Sequence, residues 1–131
     1  MPRLEYFLVA EATSVDQGTN KISIFNVIEE LRSPQWPATV PVMTAVGALE
    51  ASEEDKGKEF QAIVRVSGDA LSEPRDFPLN FELNTKRQRL LFRINALRVE
   101  RPGAIVVSLL LNGQHLAEHR VVTETARAGE Q

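Results

Sequence analysis

The sequence predicts an all-β fold, a two-sheet antiparallel β-sandwich of about eight strands. Three observations carry that expectation. Apolar residues alternate with polar ones at period two along almost the whole chain. Gly, Pro, Asn and Asp clusters interrupt them at the spacing of short strands. No stretch offers the sustained apolar stripe of an amphipathic helix.

The elements follow in order. Tyr6 to Ala12 has apolar residues on both parities, which suggests burial on both faces. Val15 to Asn20 is a turn, with Gly18 and Asn20 tolerating positive φ. Lys21 to Ile28, rich in β-branched and aromatic residues, is the next strand. Ser33 to Pro41 holds Pro34, Pro37 and Pro41, which lack amide donors, so it is expected as an extended crossing between sheets. Val42 to Ala51 resumes as strand, with Gly47 marking a bulge or a close approach. Ser52 to Lys58 is a charged loop with room for one helical turn capped by Ser52.

Phe60, Ala62, Val64 and Val66 form a half-buried strand, and Ser67 to Asp76 a polar loop. Phe77, Leu79, Phe81 and Leu83 alternate again, as do Leu90, Phe92, Ile94 and Ala96 after the turn at Asn84 to Gln88. Ala104 to Leu111 and Gln114 to Thr123 flank Asn112-Gly113, a strong hairpin signal because both central residues of a type I′ turn need positive φ. One domain over 1–124 with a flexible tail over 125–131 is the expected organisation.

Composition narrows the function classes. The 131 residues carry a formal charge of -3, too small to imply a highly charged partner. The absence of cysteine excludes a disulfide scaffold, a thiolate zinc site and thiol catalysis. The N-terminus has only a short apolar stretch and no small-residue cleavage site, and no run approaches membrane-spanning length. A cytoplasmic protein without a membrane partner is the expectation.

Several segments taken in order resemble a bacterial family of small β-sandwich proteins known only as a domain of unknown function. They are the strand–turn–strand ending Lys21-Ile22-Ser23-Ile24 and the crossing Arg32, Pro34, Trp36, Pro37, Ala38, with Pro41 after it. Pro102-Gly103 leading into a strand, then Asn112-Gly113 and a last strand, complete the likeness. The second strand lacks the glycines that usually follow it, and Asn-Gly replaces the commoner Asp-Gly. The resemblance implies an immunoglobulin-like Greek-key sandwich and transfers no activity.

Catalytic and cofactor chemistry finds little support. His115 and His119 would lie on one strand about 13 Å apart, sharing one exposed face, too far to hold one ion. No serine sits in a nucleophile elbow, no spaced acids suggest a calcium loop, and no glycine-rich phosphate cradle occurs. No cofactor, metal or catalytic residue is expected. An active site assembled from scattered residues is the alternative that spacing alone leaves open.

Charge is more informative. Lys86, Arg87, Arg89, Arg93, Arg98 and Arg101 accompany only Glu100 in the stretch Lys86 to Arg101. On a strand, Arg87, Arg89 and Arg93 share the face opposite Leu90, Phe92 and Ile94 and form an outward basic stripe. Such a stripe can track phosphates, but Leu91 and Asn95 stand where base-stacking aromatics would be needed. Val106 and Leu110 face outward if Ile105, Val107, Leu109 and Leu111 face the core, beside Leu91 or Ile63. Trp36 either plugs the end of the sandwich or anchors an interface. The favoured reading is a non-enzymatic interaction or structural module. Its interface residues are Trp36, Arg87, Arg89, Leu91, Arg93, Val106 and Leu110, and its partner is itself, as a homodimer, or another protein. Nucleic acid or another anionic surface is the weaker alternative.

Overall fold

A computed structural model describes residues 1–127, which form nine strands in two sheets. In chain order these are β1 (Arg3–Val15), β2 (Ile22–Val27), β3 (Glu30–Ser33), β4 (Ala38–Glu50) and β5 (Glu59–Ser67). Then come β6 (Arg75–Glu82), β7 (Arg87–Val99), β8 (Gly103–Leu111) and β9 (Gln114–Thr125). One sheet has the order β2-β1-β4-β7 and is antiparallel throughout. The other has the order β3-β9-β8-β5-β6 and is mixed, because β3 runs parallel to β9.

The expectation of purely antiparallel sheets and about eight strands is corrected by β3. Its four residues, Glu30-Leu31-Arg32-Ser33, are too few to display period two, so only the pairing to Val122–Thr125 reveals a strand. The expected tail begins at Thr125, which is the last residue of β9 and pairs with Ser33. Ala126 N–H donates to Ser33 O at 2.9 Å. Residues 128–131 lie outside the described residues.

The Ser33–Pro41 crossing is shorter than expected, because strand resumes at Ala38. Proline is tolerated at 41 for a local reason. β1 accompanies β4 only from Thr44 to Glu50, and the β4–β7 ladder skips the Pro41/Ala96 position, where Pro41 has no N–H to give. Ala96 takes φ +53° there. Side-chain alternation changes phase at this kink: Ile94 and Leu97 are both buried, with Asn95 and Ala96 exposed between them. Ala96 therefore does not continue the buried series of Leu90, Phe92 and Ile94.

A second skipped pair, Glu11/Asn26, kinks the β1–β2 hairpin. Asn26 has φ +57°, and its Nδ2 donates to Glu11 Oε2 at 2.9 Å. At the far end of the molecule, Asn112 and Gly113 have φ +49° and +82°, as a two-residue primed turn requires. One turn of 3-10 helix, Glu53–Asp55, follows Ser52, whose N–H and Oγ both bond Asp55 Oδ2.

The core lies between the sheets. Val9, Met43, Ala45, Leu49, Leu90, Phe92 and Ile94 from one sheet meet Phe60, Val64, Ile105, Val107, Leu109 and Val121 from the other. Gly47 marks a close approach rather than a bulge: a Cβ there would stand 3.5 Å from Phe7 and 3.6 Å from Leu109. The β2–β3 connection closes one side. Ile28 N–H donates to Val9 O, and Val122 N–H to Glu29 O. The opposite ends of the two sheets are β7 and β6.

Candidate functional site

The predicted interface residues fall into three places. Arg87, Arg89, Leu91 and Arg93 share the outward face of β7, with Leu90, Phe92 and Ile94 buried behind them. Val106 and Leu110 are half-buried on the outer face of the other sheet, where Leu110 pairs with Ile63; Leu91 belongs to the opposite sheet. Trp36 packs against the core at the end of the sandwich, and its Nε1 donates to Thr125 Oγ1 at 2.9 Å. It lines a recess of about 200 Å³ with Leu31, Val40, Val99 and Thr123. The four β7 residues form one surface, which Trp36, Val106 and Leu110 do not share.

The histidines are separated by more than distance. A register shift at Leu109/Leu110 inserts a bulge in β9, so His115 pairs with outward Leu110 while His119 pairs with inward Val107. They do not share a face. His119 Nε2–H donates to Ile28 O at 2.6 Å, tying β9 to the crossing. Among the described residues no three His, Asp or Glu side chains gather as a metal set.

The β7 face is covered at one end by the β1–β2 hairpin. Beyond Ala10, which shares a row with Thr44 and Arg93, a straight hairpin would extend about 17 Å further by strand geometry. Arg89 lies four residues, about 13 Å, in the opposite direction. Yet Arg89 Nη2 donates to Asn20 O at 3.0 Å, so the hairpin folds back over the outer face. This explains why Val46, on the outward parity of β4, is 0% exposed, and why Ile22 and Ile24 are half-buried while Phe25 is open to solvent.

Between hairpin tip and sheet lies a cleft of about 680 Å³, lined by Tyr6, Asn20, Ile22, Ala48, Thr85, Arg87, Gln88 and Arg89. Two guanidinium groups and no carboxylate line it. Glu50, in the same row as Arg87, is taken by Arg3 at 3.1 Å, and no partner for the Arg87 guanidinium occurs among the described residues. Arg3 and a hydrogen bond shared with Glu5 hold the Glu50 carboxyl below its usual range, the bond being the larger cause. Three further arginines of the stretch are engaged: Arg93 with Asn95, Arg98 with Glu100, Arg101 with the carbonyls of Asp69 and Leu71. Sequence reading found the arginines but missed Tyr6, Asn20, Thr85 and Gln88. Only the fold-back of the hairpin gathers them, and no periodicity signals that.

These features define an all-β, two-sheet protein with an arginine-lined cleft at the edge of its four-stranded sheet. The chain belongs to a family of unknown function, DUF6941, whose model matches residues 5–122, in line with the resemblance drawn from the Pro-x-aromatic-Pro crossing and the C-terminal hairpin. A comparison with curated proteins finds no match. Among solved structures, the alkylpurine DNA glycosylase AlkC of Pseudomonas fluorescens, bound to DNA containing an abasic site analog, is similar with a TM-score of 0.59 at 12% identity. The match covers 94% of this chain and 30% of that one, so the chain spans under a third of that enzyme's length. At this identity the likeness is one of fold.

Proposed function

We propose that this protein is a non-enzymatic interaction module that docks an acidic partner protein on the outward face of β7. The observation that carries the reading is the unopposed positive face: Arg87, Arg89 and Arg93 flank a Leu91 that is 42% exposed, beside a cleft without carboxylates. Arginine with an exposed aliphatic residue suits acidic side chains set in an apolar surface, with Arg87 free for a bidentate carboxylate contact. An immunoglobulin-like Greek-key relationship belongs to the same reading. Its support is that the chain changes sheet at β4–β5, β6–β7 and β7–β8 around the hairpins β5–β6 and β8–β9.

The test is the native mass of the tagged protein at its own expression level, with mass spectrometry of what co-elutes. The partner should be acidic at its contact surface. Arg87→Glu with Arg93→Glu should release it and leave the melting temperature within a degree or two. A lone monomer, or a partner retained by the double variant, would overturn the reading.

A second reading is favoured by what the similar solved structure is bound to. The same arginines would then follow a nucleic-acid backbone. Affinity for a short DNA duplex would fall steeply with salt, with a slope set by the two or three phosphates contacted.

A further inference from the structure

Among the described residues no strand closes the side of the sandwich between β6 and β7, and we infer that an extended acidic–apolar segment of the partner adds to the free edge of β7 and completes it. This rests on the acidic-partner reading and names how the partner binds.

The exposed core shows the gap. Leu79 pairs with Ala62, which is 0% exposed, and so points to the core side of β6, yet it is 38% exposed itself. Phe77 and Phe81, on the same side of β6, are only half-buried. On the β2–β3 side the equivalent region is closed by the chain itself through Ile28.

The two edges differ in what they offer. Leu83 N–H bonds Lys58 O, which sets Arg75, Phe77, Leu79 and Phe81 as the residues bonded to β5, leaving Asp76, Pro78 and Asn80 on the free edge of β6. Pro78 therefore removes a donor from the middle of that edge, a common protection against pairing. On β7, Ala51 N–H bonds Lys86 O, so the even positions face β4 and Arg87, Arg89, Leu91 and Arg93 face the free edge. The carbonyls of Arg87 and Arg89 are capped by Thr85 Oγ1 and Gln88 Nε2. No such cap occurs on Leu91 or Arg93 among the described residues. An incoming strand finds its open backbone there.

Charge selects the occupant. Two copies pairing antiparallel about Leu91 would set Arg89 of one against Arg93 of the other, which opposes self-association through this edge. A segment reading acid–apolar–apolar–apolar–acid places its acids opposite Arg89 and Arg93 and its central residue on Leu91. The two flanking residues point inward over Leu79. Main-chain bonds supply affinity and the alternate side chains specificity, as in other strand-addition complexes.

The probe is an acetylated, amidated peptide, Ser-Glu-Val-Leu-Val-Glu-Ser, with a Lys-for-Glu version as its control. Titrated into the whole protein, the acidic peptide should slow amide exchange at Leu91 and Arg93 at least tenfold, and the Lys peptide should not. Arg89→Glu combined with Arg93→Glu should reverse that preference. Leu79→Lys should weaken the acidic peptide about tenfold, and the milder Leu79→Ser serves if the lysine variant is unstable. Binding without protection of the Leu91 and Arg93 amides, or indifference to both Leu79 variants, overturns strand addition. If the natural partner is still lost on Arg87→Glu with Arg93→Glu, acidic docking stands without it. No peptide binding at millimolar concentration, or a dimer in sedimentation that the acidic peptide does not disturb, also overturns it.

Discussion

The guanidinium of Arg89 donates to the main-chain oxygen of Asn20 at 3.0 Å across 69 residues of chain, and this bond joins the edge strand to the tip of the β1–β2 hairpin. Its geometry fits the local backbone: Asn20 sits at φ +58°, in a turn where Asp16 accepts from Gly18 N–H and Thr19 Oγ1. Arg89→Ala should therefore free the hairpin tip without unfolding the sandwich. We expect a loss of about 1 kcal/mol in urea unfolding, because a charged hydrogen bond at an exposed site is discounted by solvent. Limited proteolysis should accelerate within residues 16–21. Arg93 bonds its neighbour Asn95 and no other side chain among the described residues, so Arg93→Ala should change neither measurement.

Glycine is required at 68 by two independent constraints. Its φ is +117°, and a Cβ there would overlap the carbonyl oxygen of Ala104. Gly68→Ala combines backbone strain with a clash against main chain that has no rotamer to change, so we expect a cost of about 3 kcal/mol. Gly113→Ala separates the two causes. Its φ of +82° is strained, but open space surrounds the added methyl, and about 1 kcal/mol is expected. Equal losses for the two variants in denaturant unfolding would contradict this account.

The fold was legible where one residue type decides local geometry. Asn112-Gly113 announced its turn, and Phe60 to Val66 displayed alternation because one face packs on the core while the other meets solvent. It was illegible where geometry depends on a distant partner. The four residues of β3 are strand only because β9 lies beside them. The bulge in β9 that turns His119 inward is written in the register against β8, not in the sequence around it. Of the candidate site, the outward arginines followed from period two. The cleft did not, because the kink at Glu11/Asn26 sends the hairpin back over the sheet.

Acid stability should depend on Asp55. Its carboxylate is buried and accepts from Ser52 N–H at 2.9 Å, from Ser52 Oγ at 2.8 Å and from the Met1 amino group at 2.9 Å. The Ser52 backbone bond is the largest cause, followed by the bond from the amino group, and together they lower its pKa to about 2. Because the folded value lies below the usual carboxylate pKa of about 4, the unfolded chain takes up the proton first as pH falls. The contribution is complete above about pH 4 and is lost as the pH drops through about 2. Asp16, Glu50 and Asp76 shift in the same direction and steepen the same limb. Asp55→Asn keeps the shape and removes the titration. Its unfolding free energy should be lower than the parent's at pH 7, and the difference should narrow on descending from pH 4 to pH 2. A difference that stays constant across that window would show that Asp55 does not titrate with the fold.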